Sequence, residues 1–346
     1  MSEKKLQVVV IGCGQIAKMH IPAVLAKKEC ELYAVCDSAT DNRMQLRMEE
    51  VGMPEFCKAH AYTNYMDLVN DPNVDVAIIT TDDNSHREIA CAFLRAGKDV
   101  LLEKPMALTN EDCIEMLKAE KESGRRLMVG QVVRYNPNFI KAKQIVDSGD
   151  IGELVFVESE YAHDYMNSRG YNDWRVTPAR EGMIGGGCHA VDFLRWVAGN
   201  PTEVSAYSTH KYLMDWPVND TTIAIYKFPN NVIGKVFCSI GVKRNYTMRT
   251  CLYGTEGTII FESQGKEMRL YQCDKNGKYY TTPRILSCTP KSHNMMGEVS
   301  DFIDAIVAGK PNPISSIEGA STVAVCRATV ESAKLGTAVQ IKYPEV

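Results

Sequence analysis

The sequence predicts two successive domains: an α/β domain on a doubly wound parallel sheet, then an α+β domain on a mostly antiparallel sheet. Three observations carry this reading. Apolar strands alternate with helical patterns through the first third of the chain, and a glycine-rich turn links the first strand to the first helix. Beyond residue 126, strand-like runs follow one another through short turns. A chain of 346 residues is long enough for two cores, placed here at 1–125 and 126–346 with no Pro/Gly/Ser-rich linker between them.

In the first domain, 6–11 is apolar apart from Gln7 and ends in Gly12-Cys13-Gly14-Gln15-Ile16-Ala17. Runs at 32–36, 74–80, 100–102 and 127–130 predict further strands. They are apolar throughout, as strands covered on both faces are. Between them, 86–96 sets Ile89, Ala92, Phe93 and Ala96 on one helical face, and Gly97 is suited to end that helix. Thr109-Asn110-Glu111-Asp112 reads as a capping box, and Gly124 closes the helix it opens. In the second domain, 151–161, 204–211, 221–228, 232–240, 247–253 and 258–261 are strand-like. Pro229-Asn230-Asn231 and Gly254-Thr255-Glu256-Gly257 are tight turns between neighbouring runs, which implies antiparallel pairing. Helices are expected at 188–197, 297–307 and 316–335.

A net charge of −4 and the lack of a long basic run argue against nucleic acid as the main partner and favour a small molecule. No apolar stretch is long enough to span a bilayer. Met1-Ser2-Glu3-Lys4-Lys5 leads into a strand rather than a signal-peptide core. The twelve cysteines are scattered without C-x-x-C or zinc-type spacing, so free thiols in a reducing cytoplasm are expected.

Gly12-x-Gly14-x-x-Ala17, after a strand and before a helix, has the context of a dinucleotide-binding turn, the mark of a Rossmann domain. The first glycine permits the turn and the second lets the backbone approach a pyrophosphate. The small Ala17 lets the helix pack on the sheet, and the helix start at Gln15 and Ile16 supplies amide donors. Asp37 ends the second strand, where a carboxylate takes ribose hydroxyls and repels a 2′-phosphate. NAD is therefore the expected cofactor, with Arg43 nearby leaving NADP use open.

Glu103-Lys104-Pro105 closes the strand at 100–102. Ligands of an open parallel sheet bind beyond the carboxyl ends of its strands, so Lys104 is set towards the cofactor. Proline removes a donor and biases Lys104 away from helical geometry, and the bond before it can be cis. In Gly185-Gly186-Gly187-Cys188-His189-Ala190-Val191-Asp192, His189 has two readings. It is either a buried partner of Asp192 one turn on, or a functional group at a helix start where three glycines admit a ligand. The second is favoured.

With these residues in place, the chain resembles the Gfo/Idh/MocA family of oxidoreductases, which contains glucose-fructose oxidoreductase and the inositol dehydrogenases. The resemblance covers essentially the whole chain. Thr81-Asp82-Asp83-Asn84-Ser85-His86 stands where the family has Thr-Pro-Asn-x-x-His, with Asp82 and Asp83 departing from it. Ala96-Gly97-Lys98-Asp99-Val100 and Arg134-Tyr135-Asn136-Pro137 match further segments. The resemblance implies a Rossmann domain, an open-faced antiparallel sheet, and substrate bound between the two. It implies NAD-dependent hydride transfer at a hydroxyl of a sugar, cyclitol or glycoside, with Lys104 and His189 handling the proton. A base must take the hydroxyl proton, and a cationic nicotinamide disfavours a second positive charge on Lys104. Cofactor contacts are implied for Gly12, Gly14, Gln15, Ile16, Asp37, Thr81, Asp83, His86, Glu103, Lys104 and Arg134.

One departure stands out. Many members have an aspartate four residues before the histidine, whereas this chain has Gly185. Asp192 or another acid would have to orient His189, or Lys104 carries more of the proton transfer. The departure also gives weight to branches that oxidise C3 of a glycoside, whose product can undergo elimination. A glycosidase or lyase using NAD through transient oxidation is the alternative activity, and a cofactor-linked sensor without activity is a third reading.

On the substrate side, Tyr161-Ala162-His163-Asp164-Tyr165 and Asp173-Trp174-Arg175 are the expected pocket walls. His163, Trp174, Arg175 and Asp192 are the candidate substrate contacts, and His293 is a further one. His163, Asp164 and His189 do not repeat a ligand spacing, so no metal is expected. Cys188 reads as a packed thiol. The open sheet face predicts a homo-oligomer.

Overall fold

The computed structural model describes residues 4–39, 41–274, 276–289 and 293–345. The chain forms two compact units: Met1–Gln131 with Asn294–Ala320 and Pro344–Val346, and Val132–His293 with Ser321–Tyr343.

The first unit runs β1 (Leu6–Ile11), α1 (Ala17–Leu25), β2 (Cys30–Cys36), α2 (Arg43–Glu50), α3 (Cys57–His60), β3 (Ala61–Tyr62), α4 (Tyr65–Val69), β4 (Val76–Ile79), α5 (His86–Arg95), β5 (Asp99–Leu102), α6 (Asn110–Ser123) and β6 (Leu127–Val129). All strand pairs are parallel, in the order β3-β2-β1-β4-β5-β6. The order turns back between β1 and β4, which opens a crevice at their carboxyl ends. Val8, Val9 and Val10 of β1, Val76 to Ile79 of β4 and Val100 to Leu102 of β5 are almost entirely buried, as expected of strands covered on both faces. The helix ends follow the expected signals. Thr109 accepts the Asp112 N–H at 3.1 Å, while Gly97 and Gly124 take left-handed φ of 79° and 63°.

The expected break at 125/126 falls one strand early. β6 pairs with β5 through Leu102 and Val129, so the chain completes its sheet before leaving the unit. It also returns: α9 (Met295–Val307) packs on α1, where Lys27 bonds Ser300 at 3.1 Å and pairs with Asp304 at 2.6 Å.

The second unit contains α7 (Pro137–Asp147), β7 (Leu154–Ala162), α8 (Cys188–Ala198), β8 (Glu203–Thr209), β9 (Thr221–Lys227), β10 (Ile233–Ser239), β11 (Arg249–Gly254), β12 (Gly257–Glu262), β13 (Glu267–Gln272), β14 (Arg284–Ser287), most of α10 (Ser316–Leu335) and β15 (Val339–Gln340). Its sheet has the order β14-β13-β12-β11-β7-β10-β9-β8-β15. Every pair is antiparallel except β7 with β10, whose connection passes through α8 and the β8–β9 hairpin. One face is a core in which Phe139 meets Phe193 and Phe261 edge-on at 4.7 and 5.0 Å, and Tyr226 bonds Thr329 of α10 at 2.8 Å. The opposite face leaves Tyr207 74% and Ile225 43% exposed.

Candidate active site

In the first unit the glycine turn follows β1. Gly12 has φ of 94°, and a Cβ there would lie 2.7 Å from the Thr80 carbonyl and the Thr81 amide, so only glycine fits. Gly14 differs: nothing lies within 4 Å of where its Cβ would be. That open cradle at the start of α1 is what close approach of a pyrophosphate requires. Asp37 follows β2, and its carboxylate accepts the Cys13 N–H at 2.7 Å and the Ala39 N–H at 2.8 Å, with Arg43 3.8 Å away. The acid is thus fixed against the turn, with lone pairs left for ribose hydroxyls. The cradle, the helix start and this acceptor fit NAD.

Lys104 follows β5, two strands from β1 on the same carboxyl edge, and its peptide bond to Pro105 is cis. The Pro105 carbonyl accepts from Nδ1 of His86, which is fully buried. His86, expected among the cofactor contacts, therefore holds the loop after Lys104. Glu103 is also inward-facing. Its Oε1 lies 2.9 Å from His20 Nε2 and its Oε2 accepts the Lys104 backbone N–H at 3.0 Å. Burial pushes the Glu103 carboxyl up, but the His20 hydrogen bond and the charges of His20 and Lys104 outweigh this and hold it below the usual range. Glu298 of α9 joins this pair, its ligand-type atoms within 4.8 Å of theirs. Burial, then the Glu103 charge, pushes its carboxyl well above the usual range. Among the described residues these three alone group closely enough to hold a metal ion. Thr81 and Asp83 sit just beyond β4, the first half-buried and the second buried.

In the second unit His189 lies in the first turn of α8, after a wide helical turn over Met183–Gly187. Its ring stacks on Tyr161 at 5.7 Å and meets His293 edge-on at 5.7 Å. The Tyr161 hydroxyl bonds Tyr165 at 2.6 Å and lies 3.4 Å from His163 Nδ1, and Tyr246 packs on both Tyr161 and His163. Burial, then the neighbouring Tyr165 and Tyr246, pushes the Tyr161 phenol well up, so it stays neutral and keeps its proton to donate. His163, Tyr165, Tyr246 and His189 therefore gather around one tyrosine, with His293 beside His189 and Tyr246.

The triple glycine does not serve as read from the sequence. A Cβ on Gly185 would lie 2.3 Å from the Arg180 guanidinium, one on Gly186 2.3 Å from the Tyr161 ring, and one on Gly187 2.6 Å from Met183 Sδ. The room is taken by the unit's own side chains rather than left for a ligand. Where the family's aspartate would stand, there is a buried cation. Asp192 does not compensate. It is wholly buried and holds Arg134 through two bonds of 2.9 and 2.8 Å, with Thr322 at 3.1 Å. Its expected contact with substrate gives way to anchoring Arg134. Trp174, expected as a substrate contact, has the guanidinium groups of Arg175 and Arg180 over its ring at 4.6 and 4.8 Å. Asp164 pairs with Lys243 at 2.9 Å and joins no metal-type cluster among the described residues. His20, Arg180, Tyr246 and Glu298 were not singled out in the sequence. Only Glu298 left a trace there, four residues before Phe302 on the apolar face of its helix.

A doubly wound sheet with this turn and this acid defines a dinucleotide-binding oxidoreductase. The pattern of the oxidoreductase family with an NAD-binding Rossmann fold, GFO/IDH/MocA, matches residues 6–131, and that of the GFO/IDH/MocA C-terminal domain matches 139–260. The chain belongs to the GFO/IDH/MocA family. It is similar to inositol 2-dehydrogenase 2 of Saccharopolyspora erythraea, 26% identical over 96% of this chain and 94% of the relative. It is also similar to myo-inositol 2-dehydrogenase of Thermotoga maritima, 25% identical over 91% and 92%. A solved levoglucosan dehydrogenase in complex with NADH shares the fold, with a TM-score of 0.85 and 23% identity over 99% of this chain and 100% of that one. No helix among the described residues is long and apolar enough to cross a membrane.

Proposed function

We propose that this protein is an NAD-dependent dehydrogenase that oxidises a secondary hydroxyl of a sugar, cyclitol or glycoside, with Lys104 and His189 handling the proton. The observation that carries the reading is Lys104 at the carboxyl end of β5, on the edge that holds the glycine turn and Asp37. The names of the relatives, inositol 2-dehydrogenases and a levoglucosan dehydrogenase, support the substrate class.

Bound NAD supplies the acceptor for the hydride leaving carbon. The Gly12–Ile16 turn and the start of α1 hold its pyrophosphate, and Asp37 accepts from its adenosine ribose. Thr81 and Asp83 extend this contact along the edge. As the carbon–hydrogen bond breaks and the carbonyl forms, the hydroxyl proton goes to Lys104 Nζ or His189. With Gly185 supplying no carboxylate, His189 is oriented by packing on Tyr161, and Lys104 carries the larger share of the transfer. His163 and Arg175 are the substrate contacts retained in this reading. The exposed face of the second sheet is where copies of the chain associate.

Replacing Lys104 with Ala tests this. With a panel of myo-inositol, levoglucosan and methyl glucosides, turnover should fall at least about a hundredfold, while NADH binding, read by fluorescence, changes little. Unchanged turnover in K104A sinks the assignment. A methyl glucoside cleaved with no net NADH formed would instead identify the transient-oxidation activity.

A further inference from the structure

The segment that follows β2 carries a second acid besides Asp37. Asp41 stands two residues before Arg43, the first residue of α2. Its Oδ1 accepts the Arg43 Nε–H at 2.7 Å and the Arg43 backbone N–H at 3.1 Å, and its Oδ2 accepts from Nη2 at 2.6 Å. The remaining nitrogen of that guanidinium, Nη1, lies 3.8 Å from Asp37 Oδ2. Arg43 thus turns its fork into Asp41 while it flanks the acid that the reading above gives to the ribose. Asp37 itself is fixed by the Cys13 and Ala39 N–H groups, so the arginine, on its flexible stem, is the partner that can turn. The hydrogen bond from Arg43 holds the Asp41 carboxyl below the usual range, and the group is ionised at neutral pH. Two carboxylates therefore stand against one guanidinium, and the three together are net negative.

We propose that Asp41 is a cofactor-specificity residue: by holding the fork of Arg43 it keeps that cation from pairing with a 2′-phosphate and confines the site to NAD. A planar fork that grips a carboxylate through two parallel bonds grips a phosphate in the same way. An arginine beside the ribose acceptor and not committed to Asp41 would favour NADP. The two acids reject a 2′-phosphate by different means, which is how specificity is built against a close competitor. Asp37 repels it by charge, and Asp41 withholds the group that would bind it. The proposal rests on Asp37 as the ribose acceptor and not on the proton chemistry given to Lys104.

The test needs no substrate. Dissociation constants for NADH and NADPH are measured by fluorescence titration of the full chain as wild type, D41A, R43A and the double variant D41A/R43A. Asp41 has 42% of its side chain exposed, so its removal leaves the core intact. Wild type should prefer NADH, and D41A should shift the ratio of the two constants towards NADPH about tenfold or more, the worth of a hydrogen-bonded charge. R43A should leave the ratio near that of wild type, and the double variant should lose the gain of D41A. A wild-type ratio in D41A overturns the proposal. So does a gain that persists in D41A/R43A, since lost repulsion alone would then explain it. A marked fall in NADPH affinity in R43A also overturns it, because Arg43 would already be serving the phosphate. D37A is titrated in parallel. Unchanged NADH affinity in D37A defeats the ribose reading and this proposal together, whereas weakened NADH binding in D37A beside an unmoved ratio in D41A defeats this proposal alone.

Discussion

Arg180 occupies the space that a side chain at 185 would need, and that exchange sets the charge one helical turn before His189. G185A should push the guanidinium aside and disturb the head of α8, lowering kcat about tenfold while NADH affinity holds, as steady-state rates and NADH fluorescence can show. Glu298 makes a prediction about stability. An ordinary glutamate ionises near pH ~4.3, and the folded protein holds this one neutral to higher pH. Between those values the folded state keeps a proton that the unfolded chain has lost, so this group's contribution falls as pH rises through the window. Glu103, held low, has the opposite sign and loses its contribution only as pH falls. The melting temperature of E298Q should therefore gain on wild type as pH rises above the ordinary glutamate range; a constant difference contradicts a neutral Glu298. Asp37 and Lys104 were legible in the sequence because their places follow from spacing along consecutive strands. Arg180 and Glu298 were not, because each acquires its meaning from a glycine distant in sequence or from a helix that returns late in the chain. The reading of the triple glycine failed for a related reason: missing side chains show that something comes close, not whether it is a ligand or the chain itself.

At the scale of elements, the carboxyl edge of the parallel sheet collects the residues to which the proposed function assigns roles: β1 is followed by the turn, β2 by Asp37, β4 by Thr81 and Asp83, and β5 by Lys104. In the proposed function, D37A removes an acceptor for the ribose and a repeller of a 2′-phosphate. Its KM for NAD should rise about tenfold or more and its preference for NAD over NADP should shrink, both read from initial rates with each cofactor. The parallel strands were legible because strands buried on both faces are written as continuous apolar runs. The later sheet was harder. β13 alternates, with Met268 and Leu270 inward, but lies outside the expected strands; β14 and β15 are four and two residues long and exist through their pairing. α7 lies outside the expected helices although Asn136 caps it by accepting the Asn138 N–H at 2.9 Å and Pro137 opens it. The parallel pairing of β7 with β10 leaves no mark in any turn, since it depends on how a long connection crosses.

For the whole molecule, the division into two units was legible from the change of rhythm near residue 126, but not the return of Asn294–Ala320 to the first unit, which only packing decides. On the open face of the second sheet, Tyr207, Ile223 and Phe237 form one cross-strand row, and Ile225 with Lys235 forms the next. Tyr207 and both isoleucines stay exposed, a surface that monomers rarely leave uncovered. Sedimentation should find an oligomer that I223K/I225K dissociates without loss of secondary structure; a monomeric wild type rules out assembly through this face. The measurement closest to the central claim is the product balance of the wild-type enzyme on the polyol and glycoside panel, with NADH followed by absorbance and ketone by mass spectrometry. One NADH for each ketone formed, lost in K104A, is the predicted result. No NADH and no oxidised product from any member of the panel, or the same balance in K104A, would contradict it.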